Sequence, residues 1–119
     1  MTDEMDQTRS MAVWGHMHEY ERTFPVWNNT VTQYPTGKSG DGLPIFFNAP
    51  STIHLTIGTA GAFIHERFQD PPPSWSAFHA QKYGYGHLQI FNSTALSFGF
   101  QSEREKSQID GFWLQKSPL

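Results

Sequence analysis

The chain contains no cysteine among its 119 residues. This absence excludes disulfides, thiolate zinc sites and thiol nucleophiles, although it says little about the compartment. Any metal ion must therefore be held by His, Asp, Glu, Asn or Tyr. Basic residues are also few, 8 against 11 acidic ones, and the net charge is −3 without a Lys/Arg cluster. We therefore predict neither a nucleic-acid partner nor attraction to an anionic membrane surface.

The sequence also lacks a long apolar run. No stretch approaches the roughly 20 residues of a transmembrane helix. The first ten residues, M-T-D-E-M-D-Q-T-R-S, are acidic, whereas a signal peptide is basic and then apolar. We expect a soluble chain without its own export signal. Its length predicts one domain, or a piece of one.

Aromatic and β-branched residues are frequent and Gly and Pro are scattered throughout, which favours strands over helices. We predict a short helix at Thr2–Arg9 and a buried strand at Met11–Trp14. Thr52–Gly58 alternates with period two and predicts a strand with one buried side. Residues 28–50 are dense in turn formers and predict a surface loop.

The C-terminal third predicts a β-hairpin, with His87–Phe91 and Ala95–Gln101 on either side of N-S-T. Apolar residues alternate along both strands and should share one buried face: Leu88, Ile90, Leu96, Phe98 and Phe100. The charged segment Glu103–Gly111 should be a solvated turn that leads into a short closing strand, F-W-L. The chain would then end as a third antiparallel strand.

Two histidines stand one residue apart in V-W-G-H-M-H-E-Y-E-R-T, which begins at Val13. In an extended backbone the side chains of His16 and His18 point the same way, and neutral imidazole is a common ligand of transition metals. A metal site fits this pair better than acid–base catalysis does. However, even an open catalytic site uses about three protein ligands for each metal. The other ligands must come from elsewhere, and an H-x-H pair on a loop also arises by chance.

The string G-H-M-H-E-Y-E-R-T resembles the G-H-x-H-x-Y-E-R signature of the purple acid phosphatases, which are calcineurin-like metallophosphoesterases. The likeness continues in the order typical of the family's C-terminal region. It includes G-T-A-G after a strand, W-S-A-F, Y-G-Y-G and the ending D-G-F-W-L. It therefore extends from about Met11 to about Leu114.

The resemblance implies a four-layer α/β sandwich, of which this chain would be the C-terminal portion, with mainly antiparallel or mixed β-structure and little helix. Residues 1–27 would be the end of the catalytic core with the G-H-x-H motif. Residues 28–50 would be the surface loop, and residues 51–119 the C-terminal β region. Exposed strand edges would follow from the missing part.

The resemblance also implies a parent enzyme with a ferric ion beside a divalent zinc, manganese or iron ion, which hydrolyses phosphate monoesters. His16 would bind the divalent ion and His18 the ferric ion. Tyr20, Glu21 and Arg22 would support the ligands by fixing the loop and orienting imidazole N–H groups. Alternatively, Glu21 and Arg22 pair with neighbouring residues for structural reasons alone.

The family's other metal-binding motifs, D-x-G, G-D-x-x-Y and G-N-H-[DE], do not occur in this sequence. We therefore expect the C-terminal fragment of a phosphatase, with an incomplete metal site and no activity alone. The alternative is a non-catalytic β-rich module derived from the same fold, which binds a partner or nothing. The sequence upstream of this segment would discriminate between the two.

Four histidines fall outside any motif and receive no predicted role: His54, His65, His79 and His87. The triplets N-N-T at Asn28 and N-S-T at Asn92 are possible N-glycosylation sites, though each is weak evidence alone. Together with the secretion usual in the resembled family, they favour a secreted or extracellular parent. The sequence does not indicate the oligomeric state.

Overall fold

A computed structural model describes residues 11–15, 19–58 and 72–118. These residues form β-strands and turns, and none of them belongs to a helix that could span a membrane. The helix expected at Thr2–Arg9 lies outside the described residues. The strands are β1 (Met11–Trp14), β2 (Tyr20–Thr23), β3 (Val26–Trp27), β4 (Thr30–Val31), β5 (Gly37–Lys38), β6 (Pro44–Phe47), β7 (Ile53–Ile57), β8 (Ser76–Ala80), β9 (Gly84–Asn92), β10 (Ala95–Ser102) and β11 (Ser107–Gln115).

The first sheet has four strands in the order β1-β7-β2-β8. Strand β7 runs parallel to β1, with Ile53 opposite Met11, and antiparallel to β2. The strand predicted at Thr52–Gly58 is therefore confirmed as β7. Its period-two alternation buries Ile53 and Leu55 completely on one side.

The second sheet has five strands in the order β5-β6-β11-β10-β9. Strands β9 and β10 form the predicted hairpin, and β11 pairs antiparallel with β10 as the expected third strand. The closing strand is longer than F-W-L, because it begins at Ser107 and includes part of the segment that we expected to be a solvated turn. Asp110 in that segment is buried because it forms an ion pair with Arg22. The expectation of a solvated turn was therefore wrong for this residue.

The core lies between the two sheets, each of which contributes one apolar face. Its centre is aromatic: the ring of Tyr20 in β2 stacks on Phe100 in β10 with centroids 4.0 Å apart. Full burial of a large apolar side chain contributes about 1.5–3 kcal/mol. The buried apolar residues are Tyr20, Phe46, Ala49, Ile53, Leu55, Phe98, Phe100, Phe112 and Leu114.

Residues 28–50, expected as a surface loop, are partly built into the second sheet. Strand β6 pairs parallel with β11, and Phe46 is completely buried. The expectation was wrong for this strand, because the run I-F-F is short and stands between a proline and an Asn-Ala-Pro turn. Most of the segment before Leu43 is exposed, as expected.

Two strands at sheet edges are more exposed than their sequences suggested. Val13 and Trp14 in β1 are each 56% exposed, so this strand is not buried. In β9, Leu88 and Ile90 lie opposite Phe98 and Leu96 but are 45% and 71% exposed. The shared face is real, but an edge strand has a neighbour on one side only, and the described residues cover its inner face incompletely.

Gly84 allows β9 to approach β10 closely. A Cβ atom at this position would lie 2.1 Å from the backbone oxygen of Gln101, which cannot move without disturbing the strand pairing. We expect Gly84→Ala to lower the free energy of unfolding by about 1–3 kcal/mol. Gly40→Ala is the matched control, because no atom lies within 4 Å of its Cβ position. Urea unfolding of both variants measures the difference, and equal stabilities would contradict this packing.

Candidate functional site

The connection between β1 and β2 carries the H-x-H pair. Because β7 lies between these two strands, the described flanks of the connection, Gly15 and Glu19, follow β1 on one side of β7 and precede β2 on the other. On the described side, the Gly58 N–H donates to the Glu19 carbonyl at 3.2 Å, which fixes the end of the connection on β7. The predicted ligands His16 and His18 themselves lie outside the described residues.

Strands β1 and β7 are parallel, so their carboxyl ends meet at one edge of the first sheet. Loops at this edge of parallel strands are common positions for ligand sites. A Cβ atom on Gly15 would lie 3.8 Å from the Ile57 carbonyl oxygen, an ordinary contact. Gly15 and Glu19, which flank the H-x-H pair in the sequence, therefore both lie next to the end of β7.

Strand β2, which follows the histidines, is held to the second sheet by a buried ion pair. The Arg22 guanidinium donates from Nε to Asp110 Oδ2 at 2.8 Å and from Nη2 to Oδ1 at 3.0 Å. The Tyr20 hydroxyl donates to the same Oδ2 at 2.5 Å. Both charged side chains are less than a tenth exposed. This bidentate geometry specifies the position of β2 relative to β11.

The environment of Tyr20 keeps its hydroxyl protonated. Burial, and then the negative charge of Asp110, raise the pKa of Tyr20 well above its usual value. The phenol therefore remains a donor to Asp110 across the physiological range. The Arg22 guanidinium also lies 5.8 Å from the centre of the Phe112 ring. In this structure Tyr20 and Arg22 bind Asp110, and their orientation toward the imidazoles stays a prediction.

Asp110 is the member of this site that the sequence analysis missed. It lies near the end of Glu103–Gly111, the segment that we expected to be a solvated turn. One signal was available in the sequence, because the Asp110 carboxylate stands just before the apolar run F-W-L. A carboxylate that is buried beside such a run requires a partner of opposite charge. Pattern alone could not identify that partner, since Arg22 lies 88 residues earlier.

Glu21 and Glu19 occupy different environments on either side of Tyr20. Glu21 faces away from the core, and its carboxylate accepts a hydrogen bond from the Ser76 hydroxyl at 2.8 Å. Glu19 is buried directly after His18. Burial, and then the charge of Glu21, raise the pKa of Glu19, while His79 acts in the opposite direction. Of the two acidic side chains that follow the H-x-H pair in the sequence, Glu19 is thus buried and Glu21 lies on the outer face.

The other predicted positions are dispersed. Among the residues that the structure describes, no group of three or more His, Asp or Glu side chains is arranged to hold a metal ion. His54 accepts a hydrogen bond at Nδ1 from the Trp14 indole at 3.0 Å, and His87 is exposed on β9. His79 lies in β8, and His65 is outside the described residues. Asn28 and Asn92 are both exposed, as glycosylation would require.

Removing the charge of Asp110 should destabilise the chain and release β2. Asp110→Asn leaves the Arg22 guanidinium buried without its counter-charge, which costs about 3–5 kcal/mol. Tyr20→Phe removes only a hydroxyl and should cost about 1–2 kcal/mol. Lys82→Gln, at the exposed Lys82–Glu105 pair, is the control and should change stability far less. Urea unfolding gives these values.

The same variants test the connection to the histidine segment. In Asp110→Asn the Gly58 amide, which donates to Glu19, should exchange its hydrogen faster than in the unmodified chain. In Lys82→Gln its exchange should be unchanged. Equal protection of Gly58 in all variants would show that the ion pair does not fix this end of the connection.

His54 should make stability fall in mild acid. Burial lowers the pKa of His54, so the folded state favours the neutral ring that accepts from Trp14. As the pH falls below about 6.5, the unfolded chain binds the proton more readily and folding stability is lost. His54→Asn keeps an acceptor but does not titrate, so it should lose less stability between about pH 7.5 and 5.5. Identical losses in urea unfolding would refute this role.

Comparison with known proteins identifies the family. Residues 51–111 match the family described as "Iron/zinc purple acid phosphatase-like protein C". The chain is 34% identical over 104 residues to purple acid phosphatase 18 of Arabidopsis thaliana, covering 84% of this chain and 20% of that protein. It is 34% identical over 87 residues to acid phosphatase type 7 of Danio rerio, covering 72% of this chain and 18% of that protein.

A third relative is named a "Probable inactive purple acid phosphatase 1" from Arabidopsis thaliana, with 33% identity over 106 residues, 89% of this chain and 16% of that protein. The fold matches the structure of a purple acid phosphatase from yellow lupin (Lupinus luteus) seeds, with a TM-score of 0.69 and 24% identity over 91% of this chain and 18% of that one. The chain thus spans a fifth or less of these proteins. It belongs to the purple acid phosphatase family, whose C-terminal domain it carries.

Proposed function

We propose that this chain supplies His16 and His18 to the dimetal centre of an acid phosphatase that hydrolyses phosphate monoesters. The observation that carries the proposal is the G-H-M-H string between β1 and β2 in a chain of this family. His16 would bind the divalent ion, zinc, manganese or iron, and His18 the ferric ion. The whole enzyme would be secreted, with phosphate esters as substrates.

The ligand chemistry fits this proposal in part. Neutral imidazoles suit iron and zinc, and the connection that carries them begins with Gly15, where the backbone is unhindered. Once bound, two neighbouring metal ions would activate water and neutralise the charge that develops on the phosphate. Two ligands do not complete such a centre. The remaining ligands would come from residues outside this sequence, so the chain alone would be inactive.

The described residues would act by holding the histidine segment in place. Asp110 fixes Tyr20 and Arg22 through three hydrogen bonds, and Gly58 fixes Glu19 through a fourth. A ligand displaced by about 1 Å can cost a large part of the rate, so supporting contacts of this kind matter to catalysis. Tyr20 and Arg22 would therefore support the ligands through the backbone of β2. Glu21, bonded to Ser76, would do so from the outer face.

A second candidate is a β-rich module without catalysis. It is favoured by the relative whose printed name describes a probable inactive purple acid phosphatase. In that case the Arg22–Asp110 pair would stabilise the domain and no more. The two candidates differ in metal content and rate, and only the first needs the remaining ligand motifs in the same protein.

The proposal predicts a specific loss on removing either histidine. In the longer protein that carries this sequence, His16→Ala and His18→Ala should each lower bound metal and reduce phosphatase turnover by several orders of magnitude. The reason is that the metals supply both the nucleophile and charge stabilisation. Metal analysis and hydrolysis of p-nitrophenyl phosphate measure the two effects. The core should survive, because the described apolar core is formed by residues from other parts of the chain.

His87→Ala is the control, because His87 is exposed on β9 in the other sheet. It should retain full metal content and activity.

The 119-residue chain alone should bind zinc weakly through His16 and His18 and should hydrolyse no phosphate ester. Normal activity in either histidine variant, or a chain that is active alone, would refute the proposal.

A further inference from the structure

A groove lies on the outer face of the first sheet, on the opposite side from the core. It has a volume of about 840 Å³ and is lined by Glu21 and His54 from the sheet and by Trp27, Asn28 and Trp75 from neighbouring segments. The stacking of Tyr20 on Phe100 and the Arg22–Asp110 ion pair lie on the other face, toward the second sheet. The groove is therefore separate from the buried Asp110 site.

Backbone hydrogen bonds hold the walls of the groove. The β3–β4 hairpin is attached to the sheet because the Val26 N–H donates to the Thr52 carbonyl at 3.1 Å. The segment that carries Trp75 is attached because the Phe24 N–H donates to the Trp75 carbonyl at 2.9 Å. Trp27 and Trp75, both half-buried, thus line a cleft whose backbone is held by hydrogen bonds.

The lining combines flat aromatic rings with polar groups. The rings of Trp27 and Trp75 offer apolar surfaces, and Glu21 is a carboxylate already oriented by the Ser76 hydroxyl. His54 is likewise oriented by the Trp14 indole. A sugar matches such a lining, because its C–H faces pack on aromatic rings while its hydroxyl and amide groups bind polar side chains.

The groove also contains an attachment point for a sugar. Asn28 lines it, is exposed, and begins the triplet N-N-T. Asn28 and Asn29 have φ angles of 50° and 61°, as the two central residues of a tight hairpin turn require. This turn projects the asparagine from the sheet, where a glycosylating enzyme can reach it.

We propose that an N-linked glycan on Asn28 occupies this groove, with its first N-acetylglucosamine residues packed against Trp27 and Trp75. Attachment replaces one hydrogen of the Asn28 amide nitrogen by a bond to the anomeric carbon of the sugar, and the lipid-pyrophosphate carrier of the oligosaccharide leaves. Because the sugar is then tethered beside the groove, even a weak contact is populated. The inference rests on the secretion that we propose for the enzyme, and it does not require a bound metal.

Asn92 provides a matched control within the same molecule. It also begins an N-x-T/S triplet, is exposed, and is the last residue of β9, where its Oδ1 accepts from the Thr94 N–H at 2.8 Å. It lies on the second sheet, where it lines a smaller pocket of about 360 Å³ whose described lining contains no aromatic ring. A glycan on Asn92 should therefore pack less well than a glycan on Asn28.

The chain should be secreted from a eukaryotic host that attaches high-mannose glycans, and both sites should be mapped by mass spectrometry. Endoglycosidase H should trim the glycan on Asn28 several-fold more slowly than the glycan on Asn92. Asn28→Gln should lower the melting temperature by about 2–6 °C, whereas Asn92→Gln should not. Trimming to a single N-acetylglucosamine should preserve most of the Asn28 effect.

Trp75→Leu and Trp27→Leu test the contact itself. Each should equalise the trimming rates at the two sites and remove the stabilisation that depends on the Asn28 glycan. The trimming comparison is made in the unmodified chain, so it does not depend on a variant that folds. Secretion with Asn28 bare, or equal trimming of both glycans in the unmodified chain, would overturn the inference. Phosphatase rate and metal content enter none of these measurements, so failure of the proposed function would be seen separately.

Discussion

The ion pair between Arg22 and Asp110 determines how the two sheets fit together. Sheet packing by apolar residues is tolerant of small shifts, because the hydrophobic effect has no direction. A bidentate guanidinium–carboxylate pair allows little shift, because its two hydrogen bonds are lost if either strand slides. The aromatic stacking of Tyr20 on Phe100 supplies apolar burial beside the pair, and the Tyr20 hydroxyl completes the hydrogen bonding of the carboxylate. Stability and precise alignment thus come from adjacent groups.

The same pair relates the C-terminal half of the chain to the histidine segment. Residues 51–111, which match the family, contain Asp110 but neither His16 nor His18. Through Arg22 the last strand determines the position of β2, which begins two residues after His18. A region that supplies no proposed metal ligand can therefore still affect the geometry of the ligands.

Much of the β-structure could be predicted from the sequence, because alternation in β7, β9 and β10 is a local signal. Strand β6 could not, since its short apolar run was surrounded by turn formers and its partner β11 lies far along the chain. The exposure of Leu88 and Ile90 was missed for a different reason: a pattern shows which residues share a face but not whether anything covers it. The histidine motif could be recognised from its string of residues. Asp110 could not be assigned a partner, because the pairing depends on how two distant strands meet.

Strand β7 has a further consequence for the order of folding. It is inserted between β1 and β2 although it follows both in sequence. When the ribosome has released β1, the histidine connection and β2, these two strands have no common neighbour. They can take their final separation only after Ile53–Ile57 has been synthesised and has entered between them, and Asp110 becomes available later still. Such long-range pairing is slow to form. The two strands that flank the H-x-H segment in the sequence are thus made before β7 and reach their final separation only after it.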